Sequence, residues 1–144
     1  MVLEIVATLS AGIFAGAATY ITLVEHPARV EAGTVVALKQ FAPSYHRATL
    51  IQAPLALIGL TSGVSAALVH GDALWALGGL VLGAVVPLTL IVIFPTNRQL
   101  LDAALENESP LAGKLLARWG RLHALRTLVG LVAFAFFVAL LASD

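Results

Sequence analysis

Most of the side chains able to do chemistry collect in four short stretches of an otherwise apolar chain. Glu25, His26 and Arg29 form one stretch, Tyr45, His46 and Arg47 a second, and Asn97 with Arg98 a third. Trp119, His123 and Arg126 make the fourth, at i, i+4 and i+7, a spacing that sets all three on one face of a helix. An imidazole on such a face can serve as a base, a metal ligand or a hydrogen-bond donor. It can equally be a structural histidine. Arg126 can pair with Glu25 or with a bound anion, because a charge turned to lipid inside a span costs up to about 2.5–3.5 kcal/mol at full depth.

Each of the other residues has a plain reading beside the functional one. Trp119 and Tyr45 fit the aromatic belt of a membrane interface. Arg29, Arg98, Arg118 and Arg121 fit headgroup-binding or snorkelling arginines. His46 and His70 read as surface turn residues, and His26, just before Pro27, reads as the end of a span. No H-x-x-x-H pair stands within one helix, so a metal site has to be assembled across helices. Phosphate-binding glycine loops, nucleophile elbows and dinucleotide fingerprints are absent.

The elements that hold these residues follow from composition. Of 144 residues, 60% are apolar, 11% are charged and the net charge is zero. Soluble domains carry about a quarter charged residues, so lipid is the solvent this chain fits, and nothing in its charge favours nucleic acid as a partner. It has no cysteine, which removes disulfides, thiolate metal sites and thiol nucleophiles. A bilayer core about 30 Å thick takes roughly 20 apolar residues. Four spans meet that length, at about 3–24, 48–69, 73–94 and 122–142. The expected fold is all-α, one transmembrane four-helix domain over 1–144. Met1-Val2-Leu3-Glu4 lacks the basic opening of a secretory signal, so the first span is expected to be a retained anchor, although Ala15 and Ala17 are a partial match to a cleavage site.

The connections carry the remaining signals. His70-Gly71-Asp72 is a tight turn with Asp72 as helix N-cap, which makes the second and third spans antiparallel neighbours. Over 25–47, Val30, Val35, Leu38 and Phe41 predict a segment lying partly on the membrane surface, broken at Pro43 and Ser44 before the second span. Ser109 and Pro110 read as N-cap and first residue of the last helix. Every Lys and Arg lies in, or at the edge of, 25–47 and 96–121, while Glu4, Asp72 and Asp144 mark the other side. By the positive-inside rule both long connections are cytoplasmic and both termini are not. Gly12 and Gly16, Gly59 and Gly63, and Gly79 and Gly83 form G-x-x-x-G pairs, which favour close packing within one bundle or a homodimer through one face. Pro54 and Pro87 are expected to bend their spans, with Thr89 able to satisfy a freed carbonyl.

With these residues in view, the chain resembles a family of small four-span membrane proteins grouped with the fungal anthrone oxygenases. The resemblance rests on Pro27, on Tyr45 and Arg47, on Pro87-Leu-Thr89 through Pro95-Thr96-Asn97 to Leu100, and on Trp119, His123 and Arg126 as W-x-x-x-H-x-x-R. It implies insertion of oxygen into an anthrone without an evident metal or flavin. In that chemistry His123 would be the base, Arg126 or Asn97 would stabilise the oxyanion, and Trp119 would stack on the aromatic substrate. Tyr45, Arg47 and His26 complete the expected binding set.

Three functional readings follow. The first is a cofactor-free oxygenase acting on a lipophilic aromatic or quinone-like molecule. The second is a non-catalytic subunit that binds a lipid, a quinone or a partner helix in the same pocket. The third is a haem or copper protein with His26 and His123 as ligands from different helices.

Overall fold

The computed structural model of the chain describes residues 1–143. Among these, four helices are long and apolar enough to cross a membrane: α1 (Val2–Glu31), α2 (Thr34–His70), α3 (Ala73–Leu100) and α4 (Pro110–Ser143). Each packs on its neighbour in sequence, and α4 closes the ring against α1. Contacts at the ends give the directions. His70 at the end of α2 reaches Glu4 at the start of α1, with Nε2 2.7 Å from Oε1. Trp75 near the start of α3 stacks on Phe137 late in α4. The bundle therefore runs up, down, up and down.

The outer surface is apolar. Leu50, Leu68 and Ile91 are 77%, 81% and 73% exposed, a surface that suits acyl chains and not water. Packing inside relies on small residues. A Cβ on Gly63 would stand 2.7 Å from the Trp75 carbonyl oxygen, and one on Gly79 would stand 2.9 Å from the Leu60 carbonyl oxygen. The backbones of α2 and α3 thus touch directly, the contact that drives association where lipid is as apolar as leucine. Gly16 has no such role, since a Cβ there meets nothing within 4 Å.

The caps fall where the sequence places them. Leu74 N donates to Asp72 Oδ1 at 2.9 Å, and Ala112 N donates to Ser109 Oγ at 3.2 Å. Two other expectations are corrected. Pro43 and Ser44 do not break the chain, because α2 runs unbroken through Pro43 and Pro54. Nor does the segment before them lie along the surface. Gly33, at φ 98°, turns the chain in the left-handed region that glycine adopts freely. Ala37 and Phe41 are then fully buried, with Phe41 edge-on to Trp119 of α4 at 5.3 Å between ring centroids. That packing holds the helix across the single hydrogen bond a proline removes. At 37 residues, α2 is about 55 Å long and reaches past a hydrocarbon core about 30 Å thick.

His26 does not end its span either. The helix widens to π-type hydrogen bonding over Ile21–Glu25 and continues through Pro27 to Glu31. α3 does the same over Leu88–Ile93, just before Pro95. A proline ring collides with the carbonyl four residues earlier in a regular helix, and a wider turn at that point carries the carbonyl away. Thr89 Oγ1 donates to the Val85 carbonyl at 2.6 Å beside Pro87.

Gly63→Leu is expected to destabilise the bundle by about 1–3 kcal/mol, because backbone must move to admit the side chain, while Gly16→Leu leaves stability nearly unchanged. Thermal unfolding in detergent checks this. Equal midpoints for the two variants would mean that α2 and α3 do not meet at Gly63.

Candidate functional site

At the end of the bundle away from the chain termini, a cavity of about 160 Å³ lies between the helices. It is comparable to a protein cavity of about 150 Å³ that accepts one benzene ring. Ala53 and Ala56 of α2 and Val85 and Val86 of α3 form its apolar wall, adjacent to Pro54 and Pro87. Thr49 and Leu90, both exposed, stand at its edge. The opening therefore faces sideways, between α2 and α3, towards the apolar exterior.

Five of the expected site residues line this cavity: Tyr45, Asn97, Trp119, His123 and Arg126 of the expected set converge from α2, α3 and α4. Asn97 is buried, and its Oδ1 accepts from Trp119 Nε1 at 2.8 Å. Trp119 in turn stacks on His123, with ring centroids 4.7 Å apart and planes 24° apart. The indole is only 5% exposed and is enclosed by His123, His26, Phe41 and the Arg29 guanidinium. It is held by the protein's own rings more than it is open to a ligand.

His123 is 2% exposed. Its Nδ1 lies 2.9 Å from Thr22 Oγ1 of α1, and Thr22 Oγ1 lies 2.8 Å from Thr127 Oγ1. Among the described residues, Nε2 has no protein partner. Arg126 faces the cavity as well, with its guanidinium 5.0 Å from the centre of the Phe14 ring. The expected partner, Glu25, is engaged elsewhere. Its Oε1 accepts from Arg29 Nη2 and from Ser44 Oγ, and from Gln40 Nε2 at 2.8 Å. Arg126 has no carboxylate beside it among the described residues, and its buried Nε is without a hydrogen-bond acceptor.

Two expected residues stand outside the chamber. Arg47 is exposed and borders an outer groove with Gln40 and Gln52. His26 packs on Trp119 at 5.0 Å between centroids, and its Nε2 presses against α4 at Gly120, where a Cβ would come within 2.6 Å. His26 is thus turned onto the α4 backbone and not into the cavity beside His123. Among the described residues no group of three or more metal-ligating side chains gathers anywhere.

Arg29 corrects the sequence reading most sharply. It is not a headgroup arginine: it is 5% exposed, ion-paired to Glu25, and lies over the Trp119 and Phe41 rings. The i, i+4 spacing of Glu25 and Arg29 was the available signal. Thr22 and Thr127 carried none, since threonines are ordinary in membrane helices.

Fold and site together define a small all-helical membrane protein with a laterally open cavity ending in a histidine and an arginine. The family model for anthrone oxygenase matches residues 41–136, more than half of the chain, and the chain belongs to that family. No curated protein and no solved structure matches it.

Glu25→Ala strands the buried Arg29 charge and is expected to cost about 3 kcal/mol or more, because removing one partner leaves the other uncompensated. Arg29→Met leaves Glu25 its Gln40 and Ser44 donors and costs less. Unfolding of both variants side by side tests the order, and a larger loss for Arg29→Met would refute the assignment.

Proposed function

We propose that the chain is a multi-pass protein of the cell membrane, the inner membrane in a bacterium, with 25–47 and 96–121 on the cytoplasmic side and both termini opposite. The distribution of Lys and Arg supports that orientation. In this bilayer the cavity is the active site of a cofactor-free oxygenase, and its substrate is a lipophilic aromatic or quinone-like molecule that arrives sideways from the lipid.

One observation carries the reading: His123, whose Nε2 has no protein partner among the described residues, and Arg126, which has no carboxylate beside it among them, line the same cavity. His123 removes a proton from an acidic ring CH₂. Arg126, with the Asn97 amide, holds the negative charge that spreads onto the ring oxygen. The carbanion passes its electrons to dioxygen and forms a C–O bond as a hydroperoxide. Loss of the second proton from that carbon breaks the O–O bond, giving a ring carbonyl and water. One oxygen atom of O₂ ends in the product and the other in water. Tyr45 borders the substrate, Trp119 backs His123, and His26 acts through Trp119. Arg47 belongs to the outer groove.

Anthrone supplied in air to the detergent-purified protein tests this, with quinone formation and oxygen uptake measured together. The two should match one to one, and His123→Ala should lower turnover at least about 100-fold while the melting temperature holds. Quinone formation no faster than the spontaneous reaction would rule out the enzyme. A quinone affinity that changes with His123→Ala would then favour the binding or assembly subunit. A haem band or stoichiometric copper in the purified protein would instead mark His123 as a ligand.

A further inference from the structure

The two threonines behind His123 make a chain with a direction. Thr127 Oγ1 lies 3.0 Å from the His123 carbonyl and 3.2 Å from the Ala18 carbonyl. A carbonyl only accepts, so neither contact is a hydrogen bond unless the single hydrogen of Thr127 points to one of these two oxygens. In the 2.8 Å contact between the hydroxyls, Thr127 is then the acceptor and Thr22 the donor. That uses the only hydrogen of Thr22, so its 2.9 Å contact with His123 Nδ1 requires the ring to donate.

We infer that Thr22 and Thr127 hold His123 as the Nδ1–H tautomer, with the bare Nε2 lone pair presented to the cavity. The hydrogens run in one direction, from His123 Nδ1–H to Thr22, from Thr22 to Thr127, and from Thr127 to a backbone carbonyl. Three hydrogens serve three contacts. Reversing the chain serves only two, since Thr127 would then meet its carbonyls with no hydrogen to give. The reversed form also places a proton on Nε2, where the cavity offers it no protein acceptor among the described residues. The tautomer of a histidine is set by the bond its other nitrogen makes, and here that bond is set one hydroxyl further back. Thr127, which is not in hydrogen-bond contact with the ring, selects which ring nitrogen is basic.

Both threonines are positioning residues. Their consequence for turnover rests on the proposed role of His123 as base, whereas the tautomer itself does not. The ¹⁵N spectrum of histidine-labelled protein in detergent distinguishes the two neutral tautomers from the imidazolium. It should show His123 protonated at Nδ1 and bare at Nε2. Thr127→Val preserves side-chain shape but frees the Thr22 hydrogen to donate to Nδ1, so the signal should move to the Nε2–H form. Thr127→Ser should restore the original form. Thr22→Val removes the ring's partner and should leave a mixture of tautomers. With anthrone as substrate, Thr127→Val should lose turnover about tenfold or more, since a base in the wrong tautomer fails even in intact geometry, and Thr127→Ser should recover it.

An Nε2–H or imidazolium signal in the unaltered protein would overturn the inference. So would a spectrum unchanged by Thr127→Val. If the unaltered protein turns over no anthrone but the spectra behave as expected, the oxygenase reading fails and the tautomer assignment stands.

Discussion

Charge between these four helices has to be balanced without the help of bulk water, and the arrangement of the site follows from how that is done. Glu25 neutralises Arg29, and Gln40 and Ser44 donate to the same carboxylate oxygen. That leaves the second internal arginine, Arg126, with only the face of Phe14. A guanidinium so placed attracts negative charge more strongly than it would in water, because the surrounding dielectric is low. The cavity is therefore biased towards a molecule that carries, or develops, an anionic oxygen.

Aromatic packing converts that balance into geometry. Trp119 links all four helices: it donates to Asn97 of α3, stacks on His123 of its own helix, meets Phe41 of α2 edge-on and packs on His26 of α1. Its place in the sequence fits an interfacial anchor, yet it works as the internal post against which the histidine is set. The prolines contribute in a similar way. Widened turns ahead of Pro27 and Pro95 carry the facing carbonyls aside, and α1 and α3 continue through both prolines. As a result Glu25 and Arg29 on α1 and Asn97 on α3 remain on rigid elements and not on loops.

The match to the anthrone oxygenase family begins at Phe41. It includes Tyr45, Asn97, Trp119, His123 and Arg126, but not α1. Thr22, Glu25 and Arg29, which α1 contributes to the site and its surroundings, lie before the matched range.

Composition and residue spacing by themselves determined that the chain forms four apolar helices, where its caps and tight turn lie, and that Trp119, His123 and Arg126 share a face. These features depend on local periodicity and on capping chemistry, which neighbouring residues encode directly. Only the tertiary structure decided which charges pair. Glu25 was expected to face Arg126; the i, i+4 spacing permitted Arg29 instead, and the packing of α1 against Gln40 and Ser44 of α2 fixes the carboxylate on Arg29. The unbroken course of α2 through Pro43 was likewise a tertiary outcome, because burial of Ala37 and Phe41 outweighs one lost hydrogen bond. The Thr22–Thr127–His123 chain joins residues more than 100 positions apart, and no local signal marks a hydroxyl whose partner lies on another helix.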